Sequence, residues 1–134
     1  MSFINSYQKK LSRAFLVLFS ALSMSAAASA SEGAFFVDML VLKEGKTTTD
    51  ANAYFDKIEP VVQKHGLRRI MPGLNVVKNM KGSFKADLVN IWMVTNAKTT
   101  FDGIFNDPEY LKHIQQRDST FDMKNANMMM LQPF

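Results

Sequence analysis

Two stretches of this chain leave its fold little freedom. Phe35-Phe36-Val37-Asp38-Met39-Leu40-Val41-Leu42 and Leu88-Val89-Asn90-Ile91-Trp92-Met93-Val94 are apolar runs of strand length, each interrupted by one short polar residue. Successive side chains of a strand point to opposite faces. A run that is apolar at both parities therefore needs cover on both faces of its sheet. Whatever this chain folds into must supply two apolar layers around these strands.

The segments between them supply one. Thr47 to Asp50 offers helix N-caps. Ala51, Tyr54, Phe55, Ile58, Val61, Val62 and His65 then recur at three and four residues, as on one helical face. Gly66 is the expected stop. Pro60 lies inside this helix, where a missing N–H predicts a kink or a subdivision. After Met71-Pro72-Gly73, residues 74–80 read as a second, weakly alternating strand, and Lys81-Gly82-Ser83 as a turn. A short helical turn is expected through Phe101, Ile104 and Phe105. Asp107-Pro108-Glu109 then starts a second helix, with an acceptor at the cap and proline at the first position. Tyr110, Ile114, Arg117 and Phe121 would share one face of it. Residues 128–132 form a last strand, ended by Pro133.

The order is β-α-β-β-α-β, a ferredoxin-like α+β arrangement with two helices on one face of an antiparallel sheet. Its other face must then meet something apolar. The simplest candidate is a second copy of the chain, making a homodimer.

The first thirty residues follow a different logic. A polar stretch with Lys9, Lys10 and Arg13 precedes the apolar core Ala14 to Leu22, and the small residues Ala26-Ala27-Ala28-Ser29-Ala30 follow. This is the three-part order of a secretory signal peptide, with a cleavage site expected near Ala30-Ser31. The apolar run is shorter than the roughly 20 residues of a membrane span. Residues 31–134 would be the mature domain, in the periplasm or secreted, with no membrane attachment after cleavage. The formal charge of +4 divides accordingly. The first thirty residues hold three bases and no acid, which leaves +1 on the domain and no basic surface to argue for nucleic acid. The absence of cysteine excludes disulfides and thiolate chemistry. With only two histidines, no structural zinc site is expected either.

The element order, the doubly apolar strands and the segment Asn106-Asp107-Pro108-Glu109-Tyr110 resemble the dimeric α+β barrel superfamily. That superfamily includes the antibiotic-biosynthesis monooxygenases, the NIPSNAP proteins and the family called domain of unknown function 1330. The last is the nearest likeness, carried by Tyr54…Pro60…His65-Gly66 and by the arginine seven residues after the Pro-Glu-Tyr tyrosine, here Arg117. The likeness spans about residues 35–134. It departs where the family has Gly-Gly and this chain has Gly66-Leu67, and in the secretory signal. The resemblance implies a ligand cavity between sheet and helices and, in some members, cofactor-free oxygen chemistry on a deprotonated aromatic substrate.

Strand parity says which residues face such a cavity. Phe36, Asp38, Leu40 and Leu42 share one side of the first strand, and Leu88, Asn90, Trp92 and Val94 one side of the third. The opposite sides are wholly apolar and suit the dimer interface. Tyr110, His113 and Arg117 share a helical face at spacings of three and four and would close the space. The ligand-binding candidates are Asp38, Tyr110 and Arg117. As catalytic candidates, His113 would accept a proton while Asn90 and Trp92 donate to a phenolate oxygen. The structural alternative is a buried Asp38–Arg117 ion pair, Trp92 as core and His113 in solvent.

Three function classes follow: a non-catalytic small-ligand-binding dimer, a cofactor-independent monooxygenase or isomerase acting on a small aromatic or quinone-type compound, and haem binding through His113. The first leads, with no cofactor and no metal expected. His65 reads as a helix-end histidine, Arg68-Arg69 with Lys64 as a solvated basic helix end, and Met128-Met129-Met130 as core packing rather than a copper(I) site.

Overall fold

A computed structural model describes residues 33–134. The expected secretory signal and cleavage site lie outside the described residues.

Strand β1 (Ala34–Leu40) is followed by helix α1 (Thr48–Gln63), strands β2 (Leu67–Arg69), β3 (Leu74–Asn75) and β4 (Leu88–Val94), and then three short helices. These are α2 (Thr100–Phe105), α3 (Pro108–Leu111) and α4 (Ile114–Thr120), and strand β5 (Asn127–Leu131) closes the chain. The sheet order is β2-β4-β1-β5, with β3 pairing the other end of β4. Every pairing is antiparallel. The two doubly apolar runs are thus the two central strands, as their composition requires. The fold is ferredoxin-like α+β.

Helix α1 begins in a capping box. The Asp50 amide donates to the Thr47 hydroxyl, and the Thr47 amide donates to the Asp50 carboxylate. Ala51, Tyr54, Phe55, Ile58, Val61 and Val62 are its buried stripe, the periodicity seen in the sequence. The helix runs through the solvent-exposed Pro60 as one element rather than dividing there. Gly66 follows at φ +84°, and a Cβ on it would lie 2.8 Å from the Thr95 Cβ. Its carbonyl accepts from the Thr95 amide, so the close approach pins the end of α1 to the end of β4.

Three elements differ from expectation. The second strand is split. Leu67–Arg69 pairs with Trp92–Val94 and Leu74–Asn75 with Leu88–Val89, because Pro72 has no N–H to continue the edge. Beyond Asn75 the strand gives way to a loop, folded around the Asn79 amide, which donates to the carbonyls of Gly82 and Phe84. The second helix is broken at Lys112-His113, where the His113 amide bonds back only three residues, to Tyr110. Finally, β5 is an edge strand, and Met128, Met129 and Met130 are 41–49 % exposed rather than packed in a core.

The two sheet faces contrast. Leu40, Leu88, Trp92 and Val94 are buried under the helices. The outer face carries Phe35, Val37, Met39, Val89, Ile91 and Met93, none of them buried.

Candidate functional site

The polar residue in each central strand falls on the helix-facing side, and the register sets the two opposite each other. Asp38 pairs with Asn90, and Phe36 with Trp92 two residues along on the same face. Directly opposed and diagonal side chains on one face are within reach. Asn90 Nδ2 donates to Asp38 Oδ1 at 2.6 Å, and Trp92 Nε1 donates to Asp38 Oδ2 at 2.9 Å. Asp38 is 6 % exposed and Asn90 1 %. Burial pushes the Asp38 carboxyl above its ordinary value, against the two hydrogen bonds and the nearby Arg69 charge, which pull it down. Each carboxylate oxygen keeps a lone pair for another donor.

Arg69 supports this pair from the far side. Its guanidinium donates to Glu59 Oε2 at 2.8 Å and to Asn90 Oδ1 at 3.4 Å. It also stacks over the rings of Phe55 and Trp92, at 5.1 and 5.8 Å from their centroids. A continuous polar chain therefore runs Glu59–Arg69–Asn90–Asp38–Trp92. Gly73 passes over it, and a Cβ there would stand 3.1 Å from Asn90 Oδ1. Arg69 is no part of a solvated basic patch. As the register partner of Trp92 it lies on the helix-facing side, while Arg68, opposite Met93, points outward. The signal available in the sequence is that parity, once Leu67–Arg69 is taken as a strand.

Asp38 and Trp92 open onto a cavity of about 160 Å³ between sheet and helices. Its walls are chiefly aromatic, including Phe36, Tyr54, Phe101, Phe105 and Phe121. Burial also drives the ionisation of the Tyr54 hydroxyl far up, with the Tyr110 phenol beside it. Tyr110 and Arg117 line the cavity from α3 and α4. Arg117 Nε donates to Asp118 at 2.8 Å and Nη1 to the Tyr110 hydroxyl at 3.4 Å. The Asp38–Arg117 ion pair expected as the structural alternative is absent. Each Asp38 oxygen instead accepts one hydrogen bond from β4, and Arg117 pairs with its own neighbour.

Of the six candidate residues, the structure brings Asp38, Trp92, Tyr110 and Arg117 to the cavity, with Asn90 behind Asp38. His113 does not line it; half-buried, it caps α4 through its backbone. The Asn90 and Trp92 N–H groups point at Asp38. The other histidine, His65, bonds Asp107 Oδ2 through Nε2 at 2.7 Å and rests against Gly103. Among the described residues no three His, Cys, Asp or Glu side chains gather as metal ligands, and no helix is long and apolar enough to cross a membrane.

No protein-family model and no curated protein matches the chain. Solved structures do. A protein of unknown function from Rhodopseudomonas palustris superposes with a TM-score of 0.62 at 16 % identity, covering 91 % of this chain and 93 % of its own. SnoaB, a cofactor-independent oxygenase from Streptomyces nogalater, gives 0.53 at 12 % identity over 78 % and 95 %. A NIPSNAP family protein of unknown function from Agrobacterium tumefaciens gives 0.54 at 13 % identity over 76 % and 88 %. At such identities the likeness is one of fold, and it places this chain among the ferredoxin-like α+β proteins.

Proposed function

We propose that this chain is an exported homodimeric α+β barrel protein that holds a small aromatic molecule between its sheet and helices. The observation that carries the reading is the Asp38 carboxylate, buried yet turned into an aromatic-walled cavity. An acid at this position carries a desolvation cost that an apolar residue of similar size would not, and the Asn90 and Trp92 donors offset that cost without requiring it. The volume suits one ring: an engineered apolar cavity of about 150 Å³ holds benzene. The dimer supplies the second apolar layer that β1 and β4 require, and the first thirty residues supply the route of export.

The test uses the only tryptophan of the chain. Phenol, benzyl alcohol and toluene titrated into the purified protein should change Trp92 emission saturably, with matching heats in calorimetry. Absence of saturable binding by all three would refute the ligand site.

One observation favours an enzymatic second reading. A buried carboxylate with a raised pKa beside a cavity is a competent proton acceptor. In a cofactor-independent oxygenase, such as SnoaB is named to be, Asp38 would take the hydroxyl proton of the substrate. The resulting anion would then react with dioxygen. Oxygen uptake that depends on Asp38 in the presence of a hydroxyaromatic compound would establish it.

A further inference from the structure

Two charged side chains line the cavity, and they are unlike. The Asp38 carboxylate lies buried among Phe36, Trp92 and Tyr54, while the half-buried Arg117 lines the wall from α4. The Tyr54 hydroxyl lines the same cavity, and its ionisation is opposed by Asp38 and favoured by Arg117, so both charges act on this space. From this bipolar arrangement we infer that the ligand is a single-ring hydroxyaromatic carboxylate, its hydroxyl donating to Asp38 and its carboxylate held by Arg117. The inference rests on the reading of the cavity as a ligand site, and narrows its chemistry.

Each end argues for its partner. Asp38 already has the Asn90 amide, the Trp92 indole and, behind them, the Arg69 cation to balance its charge. A cationic ligand group would duplicate that compensation and meet the field of Arg69. A neutral hydroxyl adds one donor to a spare lone pair and no charge. Desolvation, which holds the Asp38 proton more firmly than usual, also makes this oxygen a strong acceptor from an acidic phenol.

Arg117 is the opposite case. Its guanidinium has five N–H donors. Asp118 and the Tyr110 hydroxyl take one each, and among the described residues no other acceptor is bonded to the rest. Asp118 is itself half-exposed, so its hold on Arg117 is weakened by solvent. A planar carboxylate at the cavity matches the guanidinium fork. A cavity of about 160 Å³ suits a ligand of one ring.

The test compares 4-hydroxybenzoate, benzoate and phenol by calorimetry, with Trp92 emission as a second readout. The expected result is that 4-hydroxybenzoate binds at least tenfold more tightly than either compound lacking one group. In Arg117→Met its affinity should fall to that of phenol, and in Asp38→Asn its advantage over benzoate should shrink. Where Asp38→Asn fails to fold, Arg117→Met and the three-ligand ranking decide alone. Equal affinity for the three compounds, or a preference that survives Arg117→Met, overturns the bipolar recognition while leaving an aromatic site. Binding of none of the three overturns both.

Discussion

The indole nitrogen of Trp92 donates to Asp38 Oδ2 at 2.9 Å, which ties the only tryptophan of the chain to the one carboxylate buried among the described residues. The charge of Asp38 is therefore written into the emission of Trp92. It is also written into stability. Burial raises the Asp38 carboxyl above its unfolded value of 3.8. Between the unfolded and folded values the native state holds the proton and the unfolded chain does not, so stability falls as pH rises through that window. Below the window both states are protonated and the contribution no longer changes with pH. Asp50, Asp107 and Asp122 are shifted down and slope the other way, but they are common to wild type and variant.

The first expected outcome is thus a difference. The stability of wild type minus that of Asp38→Asn, from urea unfolding across the acid range to neutrality, should decline with rising pH and then level off. Trp92 emission in the wild type should step over the same interval. A flat difference would show that Asp38 has no raised ionisation.

Arg69 should prove a positioning residue for Asp38. Arg69→Met leaves Glu59 without its cation and Asn90 Oδ1 without a donor, and should cost roughly 1–3 kcal/mol. Because the Arg69 charge pulls the Asp38 carboxyl down, the variant should also move the Trp92 emission step to higher pH. A merely structural arginine would alter stability and leave that midpoint in place.

Gly66 and Gly45 separate two costs that sequence alone cannot. Both sit at positive φ, +84° and +76°, but only at Gly66 would an added Cβ come within 2.8 Å of Thr95, while Gly45 faces open space. Gly45→Ala should cost about 1–2 kcal/mol for the left-handed backbone. Gly66→Ala should cost clearly more, since the clash is with a Cβ fixed by the backbone at the end of β4 and not with the tip of a flexible side chain. Equal losses in thermal or urea unfolding would mean that Thr95 yields freely.

These residues show how far the sequence can be read. Period-two alternation in β1 and β4 puts Asp38, Asn90 and Trp92 on one face, and Asp107-Pro108 marks the start of α3. Parity is local, and it survives folding. Partner choice is not local. Whether Asp38 meets Arg117 or the β4 donors depends on the lateral register of two strands far apart in the chain, and the sequence carries no sign of it. Arg69 escapes notice because three residues are too few to show alternation. The expectation for His113 assumes one unbroken helix; the helix breaks at Lys112-His113, and His113 does not line the cavity.

The outer face of the sheet yields the last prediction. Phe35, Val37, Met39, Val89, Ile91 and Met93 make a continuous apolar surface across the two central strands, and Met93 is 37 % exposed. Such a surface is costly in water and inexpensive against its own copy. Ile91 is at its middle, opposite Val37. Ile91→Glu places a carboxylate in the middle of the proposed interface. In the monomer the charge remains solvated, and the helix-facing core under Trp92 is untouched. Sedimentation at micromolar concentration should therefore show a dimer for the wild type and a folded monomer for Ile91→Glu, with Trp92 emission preserved. A wild-type monomer under these conditions would remove the proposed interface, and a dimeric Ile91→Glu would move it to another surface.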